Sequence, residues 1–185
     1  DGINKFEVLS ADFSGDVYTW ELKMIMTDKK GKVFSENVTD IICENGVFKM
    51  SMEQFASPET MESIEDMDVE VDASDIEYHA DYDENTTLPD ASIKIKAGMS
   101  GMTIMNIETH ITDRKIENKE TIETEAGSFE CLKMSQTTVI KNKLMNVKTS
   151  SKQWFLPGFG VIRSESYNKK GKLTGYMELT SLTRP

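Results

Sequence analysis

The sequence has few of the residues from which active sites are most often built. Its 185 residues hold two histidines, His79 and His110, two cysteines, Cys43 and Cys131, and four prolines. Neither histidine has a second imidazole, a cysteine or an aspartate at motif spacing, so no metal-ligand or hydrolase signature can be assembled locally. Phosphate-binding and dinucleotide-binding glycine loops are absent. Gly98-Met99-Ser100-Gly101-Met102 falls short of a nucleophile elbow because its glycines stand three apart, where that turn needs four. Catalysis and a bound cofactor are therefore not expected. Long hydrophobic runs are missing too: charges interrupt each apolar stretch well short of the ~20 residues that a spanning helix requires.

Charge of one sign is in excess. Thirty-two acidic residues against 21 basic ones leave a net charge of −11, a field that repels phosphate backbones and anionic headgroups and argues against nucleic acid as a partner. Acidic residues crowd between Glu59 and Asp90. Lysines gather at Asp28-Lys29-Lys30-Gly31-Lys32 and Asn168-Lys169-Lys170-Gly171-Lys172, and solvated surface accounts for both. Two buried thiols are the better account of the cysteines, with a disulfide in an oxidising compartment as the alternative. A first residue of Asp1 points to an N-terminal segment removed from the chain, by signal cleavage or otherwise. With 38% hydrophobic and 29% charged residues, the composition and length suit one globular domain spanning 1–185.

What is present is alternation with a period of two, which sends successive side chains of a strand to opposite faces. From Val17 to Thr27 the even positions are Tyr18, Trp20, Leu22, Met24 and Met26, against Thr19, Glu21, Lys23 and Thr27. Met67 to Asp72 and Ser92 to Lys96 repeat the pattern. Further strands are read at Val47–Met52, Thr103–Thr112, Glu120–Thr124, Phe129–Ile140, Leu144–Phe155, Val161–Tyr167 and Leu173–Leu182. Asp28 and Asn168 each begin a turn with Gly three residues later, the chemistry of a bulged hairpin, and Asn45-Gly46 marks a tighter one. One short helix is expected from Ser57 to about Glu65, with Ser57 as its cap and Pro58 in its first turn. The acidic stretch Asp81 to Pro89 reads as a loop. The fold class is mainly β: a single curved antiparallel sheet, as barrel or half-barrel, with one short helix.

Three patterns invite chemistry. Asp81-Tyr82-Asp83-Glu84-Asn85 begins like a calcium loop and then fails, with Thr86 where glycine is needed and Ser92 where the bidentate glutamate belongs. Met99, Met102 and Met105, with His110 nearby, present soft thioethers, yet residues three apart on a strand alternate faces, and plastic core filling is the better account. The stripe Tyr18, Trp20, Leu22, Met24, Met26, Phe48, Met50 and Met52 is the candidate binding surface. On neighbouring strands it would line an apolar groove for a lipid or hydrophobic small molecule, although a packed core would use the same residues.

Glu125-Ala126-Gly127-Ser128-Phe129-Glu130-Cys131, Trp154-Phe155-Leu156-Pro157-Gly158-Phe159-Gly160-Val161-Ile162-Arg163-Ser164-Glu165 and Tyr167-Asn168-Lys169-Lys170-Gly171-Lys172-Leu173 resemble the TapB-like family of exported Bacteroidetes proteins. Val69-Glu70-Val71, Leu88-Pro89-Asp90-Ala91-Ser92 and Thr112-Asp113-Arg114-Lys115-Ile116 extend the resemblance toward the N-terminus. The resemblance implies a periplasmic or envelope location and a curved antiparallel sheet, similar to the half-barrels of lipoprotein carriers. It brings no catalytic or binding residues with it. Two functions follow as expectations: an exported protein holding a hydrophobic ligand in the concave face of its sheet, or an envelope protein-interaction or scaffold module with a fully packed interior.

Overall fold

The structure, a computed structural model, describes residues 2–52, 64, 66–79 and 82–183. Its strands are β1 Gly2–Ser14, β2 Val17–Asp28, β3 Val33–Glu44, β4 Val47–Ser51, β5 Asp68–Ala73, β6 Asp75–His79, β7 Ala91–Met99, β8 Met102–Thr124, β9 Gly127–Asn142, β10 Asn146–Leu156, β11 Gly160–Asn168 and β12 Leu173–Glu178. They pair into two antiparallel sheets where one curved sheet was expected. One has the order β1-β2-β3-β4-β6, and the other β12-β11-β10-β9-β8-β7-β5. The chain divides correspondingly into two compact units, Asp1–Asp66 with Asp75–His79 and Met67–Ser74 with Ala80–Pro185. The reason lies at Ser74, which alone separates β5 from β6. Its N–H donates to the Ser92 carbonyl, and its hydroxyl accepts from the Ser92 N–H at 2.8 Å, ending β5 against β7. The next residues pair with β4 instead. The helix expected at Ser57 lies outside the described residues.

Local turn chemistry sets the hairpins. The Asp28 carboxylate accepts from the N–H groups of Lys30 and Lys32 at 2.8 and 3.0 Å, and Gly31 takes φ 79°. Asn168 repeats this with Lys170 and Lys172 at 2.9 and 3.1 Å, and Gly171 takes φ 74°. Both turns are the bulged hairpins that their Asx and Gly positions predict.

The two strands read at Thr103–Thr112 and Glu120–Thr124 are one 23-residue strand, β8, folded through two register shifts. Bulges there put an extra residue into β8 and so reset the alternation by which a strand is recognised. At the first, Asp113 is left-handed with φ 54° and Arg114 is buried, its Nη1 donating to the Pro89 carbonyl at 2.7 Å. The acidic loop follows this bulge: Ile116 donates to Thr86, and Leu88 donates to Arg114, each at 2.9 Å. In the seven-stranded sheet β7 alternates faultlessly, with Ala91, Ile93, Ile95 and Ala97 buried, and Ile122, Cys131, Trp154 and Ile162 form a core cluster. Met99 and Met102 do not fill a core. They face each other across an exposed hairpin tip.

Candidate functional site

In the five-stranded sheet the cross-strand register fixes which side chains share a face. Phe13, Tyr18, Cys43, Phe48 and Tyr78 stand opposite one another in a single row across β1, β2, β3, β4 and β6. The next rows add Trp20 opposite Ala11 and Ile41, Leu22 opposite Val8, Met24 opposite Phe6, and Met50 opposite Ile76. Seven of the eight expected groove residues, Tyr18, Trp20, Leu22, Met24, Met26, Phe48 and Met50, are therefore on one face. Met52 lies past the end of β4 in a tight turn and is fully buried.

Aromatic rings organise this face. Phe13 meets Tyr18 edge to face at 5.0 Å, Tyr18 stacks on Trp20 at 6.1 Å, and Trp20 stacks on Phe48 at 5.5 Å with an interplanar angle of 8°. Such contacts stabilise beyond what area burial alone contributes. Phe6, Val8, Phe13 and Tyr18 remain exposed. Beside Leu22, Met24 and Met26, β3 contributes the polar Thr39, Asn37 and Ser35. The apolar surface is thus broad at the aromatic row and narrows to β1 and β2 at its far end.

The opposite face carries ion pairs: Lys5 with Glu7 at 2.9 Å, Lys23 with Glu36 at 2.6 Å and Lys49 with Glu44 at 3.2 Å. Hydrogen bonding to the Lys5 ammonium holds the Glu7 carboxyl below its usual range, and the Glu36 carboxylate raises Lys23. The sheet is amphipathic across its thickness, as the alternation in β2 implies.

Sequence reading missed Phe6, Val8, Phe13, Cys43, Ile76 and Tyr78. In β1 the apolar residues of this face are Phe6 and Val8, then Ala11 and Phe13, because a register shift between Val8 and Ser10 inserts one residue. A gap of three in a period-two pattern conceals the strand. The signal that remained was Phe13 placed to meet Tyr18 across the two-residue turn at Gly15.

Two surface hollows among the described residues lie in the seven-stranded sheet. One, of about 260 Å³, is lined by Asp68, Glu70, Lys96, Met99 and Met102, and another, of about 190 Å³, by Asp113, Thr137, Ser150, Lys152 and Tyr167. Among the described residues no group of three histidine, cysteine or acidic side chains is placed to hold a metal. The Glu84 carboxylate of the calcium-like stretch accepts from the Lys119 N–H at 3.1 Å. His79 lies 3.7 Å from Glu77 and His110 lies 3.7 Å from Glu108, each beside a carboxylate of its own strand.

Residues 1–179 match the DUF3108-like family, which covers nearly the whole of the chain. The chain belongs to the DUF3108-like family. The motifs that resemble TapB-like proteins lie within the span of this DUF3108-like match, which does not itself carry the TapB-like name. No curated protein matches this DUF3108-like chain. Among solved structures it is similar to a Bacteroides fragilis protein assigned as exported with a YmcC-like fold, at 22% identity and a TM-score of 0.76, covering 99% of this chain and 88% of that one. It is also similar to a Parabacteroides distasonis protein assigned as a lipoprotein, at 22% identity and a TM-score of 0.74, covering 98% of this chain and 87% of that one. These likenesses establish a shared fold.

Proposed function

We propose that this DUF3108-like protein is exported to the cell envelope and, without catalysis, holds a hydrophobic or lipid-like ligand across the apolar face of its five-stranded sheet. The observation that carries this reading is the ladder Phe13, Tyr18, Trp20 and Phe48, continuous through Leu22 with Met24 and Met26 and partly open to solvent. Stacked rings offer a flat apolar bed, and methionines adapt to varied chains. The ligand lies on an open face rather than in an enclosed cavity. Support for an envelope location comes from the names of the two structural neighbours and from the resemblance to TapB-like exported proteins.

Brominated fatty acid quenches a tryptophan that it touches, so Trp20 reports directly. Quenching of the delipidated protein that disappears in Trp20→Phe is the expected result. Quenching that is absent in the wild type, or unchanged in Trp20→Phe, would sink the reading. A second reading, a protein partner in the envelope, is favoured by β1. This edge strand is thirteen residues long, is exposed throughout, and among the described residues pairs on one side only, with β2, a setting that suits strand addition. Saturable binding of an envelope protein accompanied by amide-exchange protection confined to β1 would favour it over the lipid.

A further inference from the structure

The seven-stranded sheet has two chemically opposite ends. At one, the antiparallel register brings three hairpin turns together: β7 to β8 at Ser100-Gly101, β9 to β10 at Lys143 to Met145, and β11 to β12 at Lys169 to Gly171. Segments 98–105, 140–148 and 167–173 contain no acidic residue, although the whole chain carries a net charge of −11. They contain Lys141, Lys143, Lys148, Lys169, Lys170 and Lys172. The edge strand β5 brings Asp68 and Glu70 to this end, and Glu70 is already paired with Lys96 at 2.8 Å. The other end carries Glu123, Glu125 and Glu130 around the β8 to β9 turn.

Between these lysines the outermost side chains are apolar. Leu144 is 91% exposed and Met102 71% exposed, with Met99, Ile104 and Met145 exposed beside them. The tips are built to hold them outward. The Asn142 side-chain oxygen accepts from the Leu144 and Met145 N–H groups, both at 2.8 Å, and Asn142 N–H donates to the Met145 carbonyl at 2.9 Å. Ser100 and Gly101 are both left-handed, at φ 53° and 79°, the conformation of a tight hairpin turn. Solvated loops present lysines and seldom lead with leucine and methionine. Apolar tips ringed by lysine match the boundary between acyl chains and anionic headgroups.

We propose that this end of the seven-stranded sheet docks on an anionic phospholipid surface, inserting Leu144, Met145 and Met102 while the six lysines meet headgroup phosphates. The acidic remainder of the chain repels such a surface, so the local charge orients the approach with this end foremost. The surface is independent of the aromatic face of the other sheet.

The experiment is cosedimentation of the full chain with phosphatidylcholine vesicles, with and without phosphatidylglycerol. Wild type should partition onto the anionic vesicles and be released by salt. Replacing Lys143, Lys169 and Lys170 by Gln should lower the partition about a hundredfold, at roughly fivefold per lysine. Leu144→Asp with Met102→Asp should abolish it while circular dichroism stays unchanged, because both side chains are exposed. Trp20→Phe should leave it intact, separating this surface from the ligand-binding face. Equal binding to neutral vesicles, no binding to anionic ones, or wild-type partition in the triple lysine variant would overturn the proposal. So would a soluble dimer that Leu144→Asp dissociates, which would assign this end to a second copy of the chain.

Discussion

Trp154 donates its indole N–H to the Glu120 carboxylate across the intervening strand β9, and the Lys133 ammonium stands 5.3 Å from the centre of the same ring. Arg163 approaches the ring from β11 at 5.6 Å and is bound in turn to Glu178, with Nε at 2.8 Å. The largest side chain of the core cluster is thereby flanked by two cations, on β9 and β11, each with a carboxylate beyond it, on β8 and β12. Trp154→Ala should cost about 3 to 5 kcal/mol in chemical denaturation, since it removes a buried indole from packed surroundings. Glu120→Gln keeps an acceptor for the indole and loses the charge, so about 1 kcal/mol is expected for this partly solvated group.

The same network gives stability a definite pH dependence. The Trp154 hydrogen bond, helped by Asn118 and Lys133, holds the Glu120 carboxyl below its usual range despite partial desolvation. The Tyr176 hydroxyl and then Arg163 lower Glu178, and Lys94 lowers Glu108. A carboxyl with a depressed folded pKa contributes its full stabilisation above the unfolded value of about 4.3 and loses it as pH falls through the folded pKa. Thermal melts should therefore hold level from neutrality to about pH 5 and decline below it. Glu120→Gln and Glu178→Gln together should make that decline shallower. An unchanged acid slope in the double variant would remove these two groups from the account.

The twin turns offer a paired comparison. Asn168→Ala deletes the acceptor of two backbone N–H groups and should destabilise by about 1 kcal/mol. Asn168→Asp should be nearly neutral, because Asp28 performs the same task with the same partners in the other sheet. Gly171→Ala should cost about 1 to 2 kcal/mol through its left-handed backbone. Open space around the added Cβ leaves strain as the sole cause. Denaturant midpoints of the three variants, read against wild type, check the ranking.

These turns were legible in the sequence because their chemistry is local: an Asx acceptor and a glycine three residues apart determine the fold of the residues between them. The stripe of β2 and β4 was legible for a similar reason, since alternation survives wherever no bulge intervenes. Where one does, the pattern misleads. The extra residue near Leu9 hid β1, and with it Phe6, Val8 and Phe13 of the candidate face. The bulges at Asp113 and Glu117 divided β8 into two apparent strands. Partition into two sheets was not legible at all, because β5 and β6 differ by one intervening serine and part company only through partners distant in sequence. The lysine-rich turn at Asn168 read as ordinary solvated surface. Its meaning changes once the register sets it at the same end as Leu144 and Met102.

Cys43 and Cys131 are both free thiols and both buried, one in each sheet, so of the two states open to them the structure holds the reduced one. At Cys131, burial and then the neighbouring Glu120 carboxylate push the thiol up to about 11. Since the thiolate is the reactive species, Cys131 should be almost inert at pH 8. Native protein treated with a thiol-specific chromogenic reagent should react over hours, and the unfolded protein should release two equivalents at once. Glu120→Gln removes the negative neighbour and should bring Cys131 forward modestly, by less than tenfold in rate, because burial is the larger cause. Rapid native modification of Cys131 would show that burial does not protect the thiol, and a gain far above tenfold in that variant would show that the carboxylate rather than the buried setting controls it.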